Sequence, residues 1–97
     1  MEKRFWVYIV TDKPYGTLYV GVTNNIQRRM HEHKEGLVAG FTKKYGLKTL
    51  VCYEEYPTAE SAIHREKCIK AWKRDWKTRL IAERNARWRD LAEDFAK

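Results

Sequence analysis

Polar side chains occupy positions on two predicted helices where the packing pattern calls for apolar residues. Ile26 and Met30 define the apolar stripe of the first helix, and Arg29 and His33 lie on that same stripe at helical spacing. On a later helix, Glu66 lies within an otherwise apolar face. A buried carboxylate without a partner is costly, so Glu66 needs a cation, either Arg29 or a metal ion. The pattern predicts an ion pair between two helices or a metal-binding carboxylate.

Two tyrosines on a predicted N-terminal hairpin extend this set of side chains. The turn is predicted to centre near residues 13 and 14, which places Tyr8 opposite Tyr19. The tyrosines and the three helix residues could converge on one pocket. Each also has a structural interpretation, because tyrosine favours strands in general and a lone histidine is common on a partly buried helix face.

Three strands and a set of helices must position these residues. Runs rich in β-branched and aromatic residues, bounded by turn residues, predict strands over residues 5–10, 17–22 and 48–56. Short strands beside helices, with a hairpin first, are typical of an α+β fold. We expect a small three-stranded, mainly antiparallel sheet flanked by helices, in the order ββαβααα.

Capping residues and glycines predict the ends of the first helix. Asn24 is predicted to cap it, with Gln27 completing a capping box, and Gly36 to stop it after residue 34. Leu37 is assigned to the inward stripe together with Ile26 and Met30. Residues 37–46 fit either a loop or a short helix.

Three further helices are predicted in the second half of the chain. Thr58 caps a long helix, a second helix covers residues 75–84, and Asn85 caps the last helix. The predicted buried face of the long helix consists of Ala59, Ala62, Ile63, Ile69 and Trp72. The last helix is indicated by the helical spacing of Trp88, Leu91 and Phe95.

Length and composition restrict the class of protein. A chain of 97 residues with 43% hydrophobic residues predicts one globular domain, 1–97. No apolar run approaches the roughly 20 residues of a membrane helix, and the apolar run after residue 4 is too short for a signal peptide. We therefore expect a soluble, cytoplasmic protein with no membrane partner. Cys52 and Cys68 are expected to be reduced, mostly buried thiols.

The positive charge is concentrated in one quarter of the chain. The net charge is +7, and residues 65–89 hold ten basic residues against three acidic ones, which accounts for the whole excess. Such a surface is typical of proteins that bind a phosphate-rich partner. The alternative is a solvated helical face that only keeps the protein soluble.

The residues singled out above resemble the motifs of the GIY-YIG nuclease family, and above all its small stand-alone members. Trp6-Val7-Tyr8 stands at the first motif and Tyr19-Val20-Gly21 at the second, with the expected interval between the tyrosines. The positions that match the family's later residues are Arg29, His33, Glu66 and Asn85. Three positions depart from the pattern, namely Trp6 for glycine, Val22 for a basic residue and Ala86 for proline.

The resemblance implies hydrolysis of phosphodiester bonds in DNA with one divalent cation, Mg²⁺ or Mn²⁺. Glu66 would hold the metal, and a lone carboxylate suits Mg²⁺, which prefers oxygen ligands and keeps several waters. Arg29 would bind the scissile phosphate through its fork of donors. Tyr8 and Tyr19 would share the orientation of water and phosphate in an order that the sequence leaves open. His33 would take a proton or bind phosphate, and Asn85 completes the implied catalytic set.

The basic stretch would contact backbone phosphates and give salt-dependent affinity without sequence preference. The residues expected to bind nucleic acid are Lys67, Lys70, Lys73, Arg74 and Lys77. Action on DNA structures in repair or recombination, with a targeting protein as a further partner, would suit a single small domain. Two alternatives remain open, a nucleic-acid-binding module of the same fold without useful turnover, and a protein-interaction domain with a basic face.

Overall fold

Three antiparallel strands form a sheet with the first strand at its centre. The structure is a computed structural model that describes residues 4–95, so both ends of the predicted domain 1–97 lie outside the described residues. The strands are β1 (Phe5–Thr11), β2 (Leu18–Thr23) and β3 (Thr49–Tyr56), in the order β2-β1-β3. The strand predictions are confirmed to within one residue at each end. β1 can occupy the centre of the sheet because its long apolar run provides side chains that can be buried on both faces.

Helices cover both faces of this sheet. The helices are α1 (Ile26–Lys34), α2 (Phe41–Tyr45), α3 (Ala59–Ala71) and α4 (Arg74–Arg84), followed by a 3₁₀ helix at Leu91–Phe95. Side chains of β1 point alternately to the two faces, which is why one strand serves two cores. The core towards α3 and α4 includes Val7, Ile9, Val20, Ala62, Ile69 and Ile81. The core towards α1 and the 3₁₀ helix includes Tyr8, Val10, Ile26, Met30, Leu50 and Leu91.

The α+β class and the antiparallel sheet are therefore confirmed, while the helix order differs in detail. The segment predicted as loop or short helix contains α2, and the last predicted helix is a single 3₁₀ turn rather than an α-helix. Within residues 4–95 no helix has the length and apolar character needed to cross a lipid bilayer.

Several local predictions for the helices are wrong. The cap of α1 is Asn25 rather than Asn24, because the extended Asn25 accepts a hydrogen bond from the Arg28 amide through its side chain. Leu37 is 67% exposed, since Gly36 adopts a left-handed conformation that turns the chain away from the stripe. On α3, Ile63 is also exposed. The Thr58 cap is confirmed by its side-chain bond to the Ser61 amide.

The two cysteines are free thiols in different environments. Cys52 is buried in β3, and burial raises its pKa to about 11, so the thiolate is disfavoured. Cys68 on α3 is only half-buried, and its sulfur lies 3.7 Å from His64 Nε2.

The prediction that Tyr8 lies opposite Tyr19 is wrong. Tyr8 pairs with Gly21, because the connection spans residues 12–17 and is centred one residue later than predicted. Asp12 holds this longer turn by accepting a hydrogen bond from the Thr17 amide at 2.9 Å. A shift of the turn centre by one residue moves the pairing by two, which keeps both tyrosines on one face. Their ring centroids are 6.5 Å apart, as diagonal neighbours.

Candidate active site

A glycine on the edge strand makes room for the first tyrosine. A Cβ atom on Gly21 would lie 2.5 Å from the Tyr8 hydroxyl oxygen and 2.6 Å from its Cζ atom. The missing side chain therefore leaves the space that the phenol ring occupies, and it fixes the position of the hydroxyl.

The Tyr8 hydroxyl joins β1 to two residues of α1. Its oxygen lies 3.0 Å from His33 Nε2 and accepts a hydrogen bond from Arg29 Nη1 at 3.4 Å. Tyr8 and His33 are both buried. Because the buried phenol has one hydrogen and Arg29 can only donate, the satisfied arrangement has the Tyr8 hydroxyl donating to His33 Nε2. The register of α1 on β1 therefore brings three of the sequence-predicted residues into one network.

This network keeps both buried rings neutral. Burial raises the pKa of Tyr8, and the hydrogen bond and charge of Arg29 offset that effect only in part. Burial and the positive charge of Arg29 lower the pKa of His33 below 6.5. At neutral pH, His33 therefore accepts the Tyr8 proton in a hydrogen bond instead of carrying a charge. His33 Nδ1 is buried without a hydrogen-bond partner in the described part of the chain.

Arg29 reaches from the buried network to the surface. It lies beside Glu32, with Nε 3.2 Å from Oε1, and its side chain is 30% exposed. The contacts with the Tyr8 hydroxyl and with Glu32 hold the guanidinium on two sides, and its exposed part can bind an anion. The sequence pattern did not identify Glu32 as the partner of Arg29.

Tyr19 is the more accessible of the two tyrosines. It lies on β2, half-buried, with its ring 6.4 Å from that of His33. Among residues 4–95, no group forms a hydrogen bond with its hydroxyl, which is free to bind water or a phosphate oxygen. The exposed Phe41 of α2 stacks on its ring at 6.5 Å.

Glu66 approaches the same edge of the sheet from α3. Its carboxylate lies 3.5 Å from Lys70 Nζ, and that ammonium lies 5.6 Å from the centre of the Tyr19 ring. The ion pair with Arg29 that the sequence left open does not form in this structure, since Arg29 pairs with Glu32 instead. The carboxylate of Glu66 is only loosely paired and can bind a cation.

The donor chemistry around Glu66 fits a hydrated magnesium ion. Within the described residues, no group of three or more His, Cys, Asp and Glu side chains could hold a metal ion. A metal held here would have Glu66 as its protein ligand and water at most other positions. Mg²⁺ accepts such a coordination shell, whereas a structural Zn²⁺ site would need more protein ligands.

Asn85 lies outside this cluster of side chains. Its buried amide donates to the Val51 carbonyl of β3 at 3.2 Å and to the Arg89 carbonyl at 2.9 Å. Its carbonyl accepts from the Arg89 amide at 3.1 Å. Asn85 ends α4 and holds the following loop against β3, so its contacts are with backbone groups and not with the other five candidate residues.

The five predicted nucleic-acid-binding residues differ in whether their side chains form hydrogen bonds or ion pairs within the protein. Arg74 donates to the Tyr15 and Gly16 carbonyls at 2.7 and 2.6 Å and thereby holds the hairpin turn. Lys70 pairs with Glu66. The side chains of the other three have no hydrogen-bond or ion-pair partner among residues 4–95, and they are Lys67, Lys73 and Lys77.

A second buried charge cluster was missed by the sequence analysis. Glu54 on β3 is buried, and its carboxylate accepts from Arg65 Nε at 2.8 Å and from the Tyr56 hydroxyl at 2.8 Å. Arg84 lies 3.3 Å away. The alternation along β3 could have indicated that Glu54 shares a buried face with Cys52, although not which cations it meets.

Comparison with known proteins identifies the family of this chain. The family model described as the GIY-YIG catalytic domain matches residues 4–79, so the chain belongs to the GIY-YIG family. Nucleases of this family are generally endonucleases that use divalent metal ions. The match covers five of the six candidate catalytic positions and ends before Asn85.

Relatives of similar length carry the name UPF0213. The chain is 39% identical to a UPF0213 protein of Staphylococcus aureus over 84 residues, which is 87% of this chain and all of the relative. It is 37% identical to a UPF0213 protein of Staphylococcus saprophyticus, over 86% of this chain and 99% of the relative. The solution NMR structure of the UPF0213 protein BH0048 from Bacillus halodurans is 28% identical, with a TM-score of 0.58, and covers 91% of this chain and 93% of its own.

Proposed function

We propose that this protein is a metal-dependent DNA endonuclease that hydrolyses phosphodiester bonds. The observation that carries the proposal is the joining of Tyr8, Arg29 and His33 in one hydrogen-bonded network, with Tyr19 beside it. By their resemblance in sequence, these side chains match the motif positions of the family, and a purely structural core has no need of a partly exposed guanidinium bonded to a buried phenol.

The accessible groups of the site would act on the substrate. Arg29 presents its outer face to an anion and would bind the scissile phosphate, stabilising the charge that develops on it. The free hydroxyl of Tyr19 would orient the attacking water. Tyr8 and His33 are too deeply buried to touch a DNA strand, so they would act as positioning residues that set the direction of Arg29.

Glu66 would hold the divalent ion. Lys70 would then leave its pair with Glu66 and contact the phosphates of the bound DNA. The metal, when bound, supplies a Lewis acid for the leaving oxygen. Mg²⁺ or Mn²⁺ fits the single carboxylate.

The DNA strand would lie along the basic surface of α3 and α4. Lys67, Lys73 and Lys77 are available for backbone phosphates, which predicts salt-dependent affinity without sequence preference. Work on DNA structures during repair or recombination in the cytoplasm, directed by a targeting protein, remains part of the proposal.

The decisive test compares two single-charge variants on the same helix. Glu66→Gln is expected to reduce cleavage of a panel of labelled nicked, branched, single-stranded and duplex DNAs to the level seen with EDTA. Glu60→Gln, an exposed control on the first turn of α3, should cut like wild type. Both variants should bind DNA as wild type does.

Other outcomes have distinct meanings. Salt-sensitive DNA binding with no cleavage in Mg²⁺ or Mn²⁺ would assign the protein to the binding modules. Equal cleavage by Glu66→Gln and wild type would remove Glu66 from the site.

A further inference from the structure

A groove between α3 and α4 lies apart from the Tyr8 network. It has a volume of about 320 Å³, close to the lower limit for pockets that bind small ligands. Arg65 in its wall reaches Glu54 of β3, whereas the neighbouring Glu66 faces the edge formed by β2. The groove therefore opens on the other side of α3 from the candidate active site. Its lining residues are Arg65, Trp72, Trp76, Arg79, Leu80 and Glu83.

Two tryptophans form an angled wall in this groove. Trp72 and Trp76 meet edge to face, with ring centroids 6.0 Å apart and an interplanar angle of 70°. The Arg65 guanidinium lies 4.9 Å from the centre of the Trp72 ring and is fixed by its two bonds to Glu54. Trp72 is thus covered on one face, while Trp76 is 53% exposed. The groove therefore presents the indole of Trp76 as an open surface that residues 4–95 do not cover.

Unlike Arg65, two other polar groups of the groove have no partner among residues 4–95. In the part of the chain that the structure describes, neither Arg79 nor Glu83 forms a hydrogen bond or an ion pair with its side chain. Arg79 can bind a phosphate or stack on a ring, and a carboxylate such as Glu83 can accept from the amino group of a base. An aromatic surface with one free cation and one free acceptor is suited to a nucleotide.

The charge of the surroundings decides between possible occupants. The groove lies within the stretch 65–89, which holds the whole net charge of +7. A second copy of the chain would bring the same positive charge, so self-association here is opposed. An acidic peptide would match the charge, but it supplies a flat ring only where it carries an aromatic residue, whereas every nucleotide carries one. A nucleic acid strand supplies both the phosphates and a flat ring.

We propose that this groove binds an unpaired nucleobase of a nucleic acid strand, stacked on Trp76 with Arg79 on the adjoining phosphate. Base stacking on aromatic side chains needs no sequence preference, because every base has a flat face. The strand would then be held at a point separate from the cleavage site. The proposal does not depend on cleavage, since binding without any catalysis would use the same surface.

The test measures affinity in EDTA, where no cutting can occur. The ligands are a 12-mer oligodeoxythymidylate and an abasic 12-mer, which carry the same phosphates but differ in bases. Wild type should bind the thymidylate about tenfold more tightly than the abasic strand. Trp76→Leu should lose this preference while keeping its affinity for the abasic strand, and the matched variant Trp76→Phe should retain most of it.

An NMR measurement on the wild-type protein tests the same proposal without a variant that could misfold. The chain has four tryptophans, so its indole N–H groups give four NMR signals. The thymidylate should shift the signals of Trp72 and Trp76 and leave those of Trp6 and Trp88 in place. Equal affinity of wild type for the two strands, an unchanged preference in Trp76→Leu, or unmoved Trp72 and Trp76 signals would each overturn the proposal.

Discussion

Two buried polar clusters lie on opposite faces of the sheet. Only one of them is closed, in the sense that its buried charge is fully paired within the protein. On the face towards α3 and α4, both oxygens of the Glu54 carboxylate meet guanidinium groups, and Tyr56 adds a further donor. Burial alone would raise the pKa of Glu54, but these bonds and the charges of Arg65 and Arg84 lower it. Both oxygens of the buried carboxylate are thus paired within the protein.

The cluster towards α1 is left open. Burial keeps Tyr8 and His33 neutral, and Nδ1 of His33 is buried without a partner in the described residues. Arg29 has one carboxylate partner at 3.2 Å, and that pair is partly exposed. Shifted pKa values occur in both clusters, so the difference between them lies in the hydrogen-bonding capacity that the Tyr8 network leaves open. We therefore expect the Glu54 cluster to contribute to stability and the Tyr8 network to contribute to the proposed cleavage.

The largest expected effect is a loss of cleavage activity, with little loss of stability, when Arg29 of the Tyr8 network is replaced. Arg29→Met should lower kcat/KM for DNA cleavage by about 10²–10³-fold, because it removes the donor for the developing phosphate charge. Its free energy of unfolding should change by no more than about 1 kcal/mol, since the pair with Glu32 is partly exposed. Steady-state cleavage and thermal melting measure the two effects. Arg28→Met is the matched control one residue away, and comparable losses of activity in both would contradict the assignment.

A smaller effect concerns the protonation of His33. When His33 is neutral it accepts from Tyr8, but protonated His33 would donate to the Tyr8 oxygen and repel Arg29. Because the pKa of His33 lies below 6.5, kcat/KM should be constant above that pH and fall as the pH drops through the lowered pKa.

His33→Gln tests that explanation. Glutamine can still bond to Tyr8 but does not titrate, so the acid limb should disappear, with a loss of about tenfold at pH 8. A pH–rate profile from pH 5 to 8 measures this. An acid limb that persists unchanged in His33→Gln would show that another group titrates.

The smallest expected effect on activity comes from the closed cluster. Glu54→Gln should lower the free energy of unfolding by about 2 kcal/mol, because two guanidinium groups lose their charged acceptor. For a domain of this size that is roughly 10 °C in Tm. The kcat/KM for cleavage at 25 °C should stay within twofold of wild type, and a large catalytic loss would break the distinction between the two clusters.

The same variant carries a pH signature. Since the pKa of Glu54 in the folded protein is below its ordinary value of 4.5, its stabilisation is complete above that pH and disappears as the pH falls through the folded pKa. Denaturant unfolding should therefore show a wild-type advantage at pH 7 that shrinks below pH 4.5. An advantage that does not depend on pH would mean that the charge of Glu54 is not its source.

Much of the site's composition could be read from local pattern. Arg29 and His33 were found because polar residues on an apolar helix stripe are unusual, and Tyr8 was found from the predicted hairpin and the resemblance to a family motif. The cap at Asn25 and the exposure of Leu37 could not be found this way. Adjacent asparagines have equal capping chemistry, and a glycine signals the end of a helix without giving the direction of the chain after it.

The strands, the main helices and the basic surface follow from short-range interactions along the chain. The apolar run of β1, the 3.6-residue stripe of α1 and the charge of residues 65–89 are local properties, so strands, helices and the basic surface follow from them. Tertiary structure alone decided the partners. Tyr8 meets Gly21 and His33, and Glu54 finds its cations on α3 and α4, because turn length and helix orientation fix which distant side chains approach.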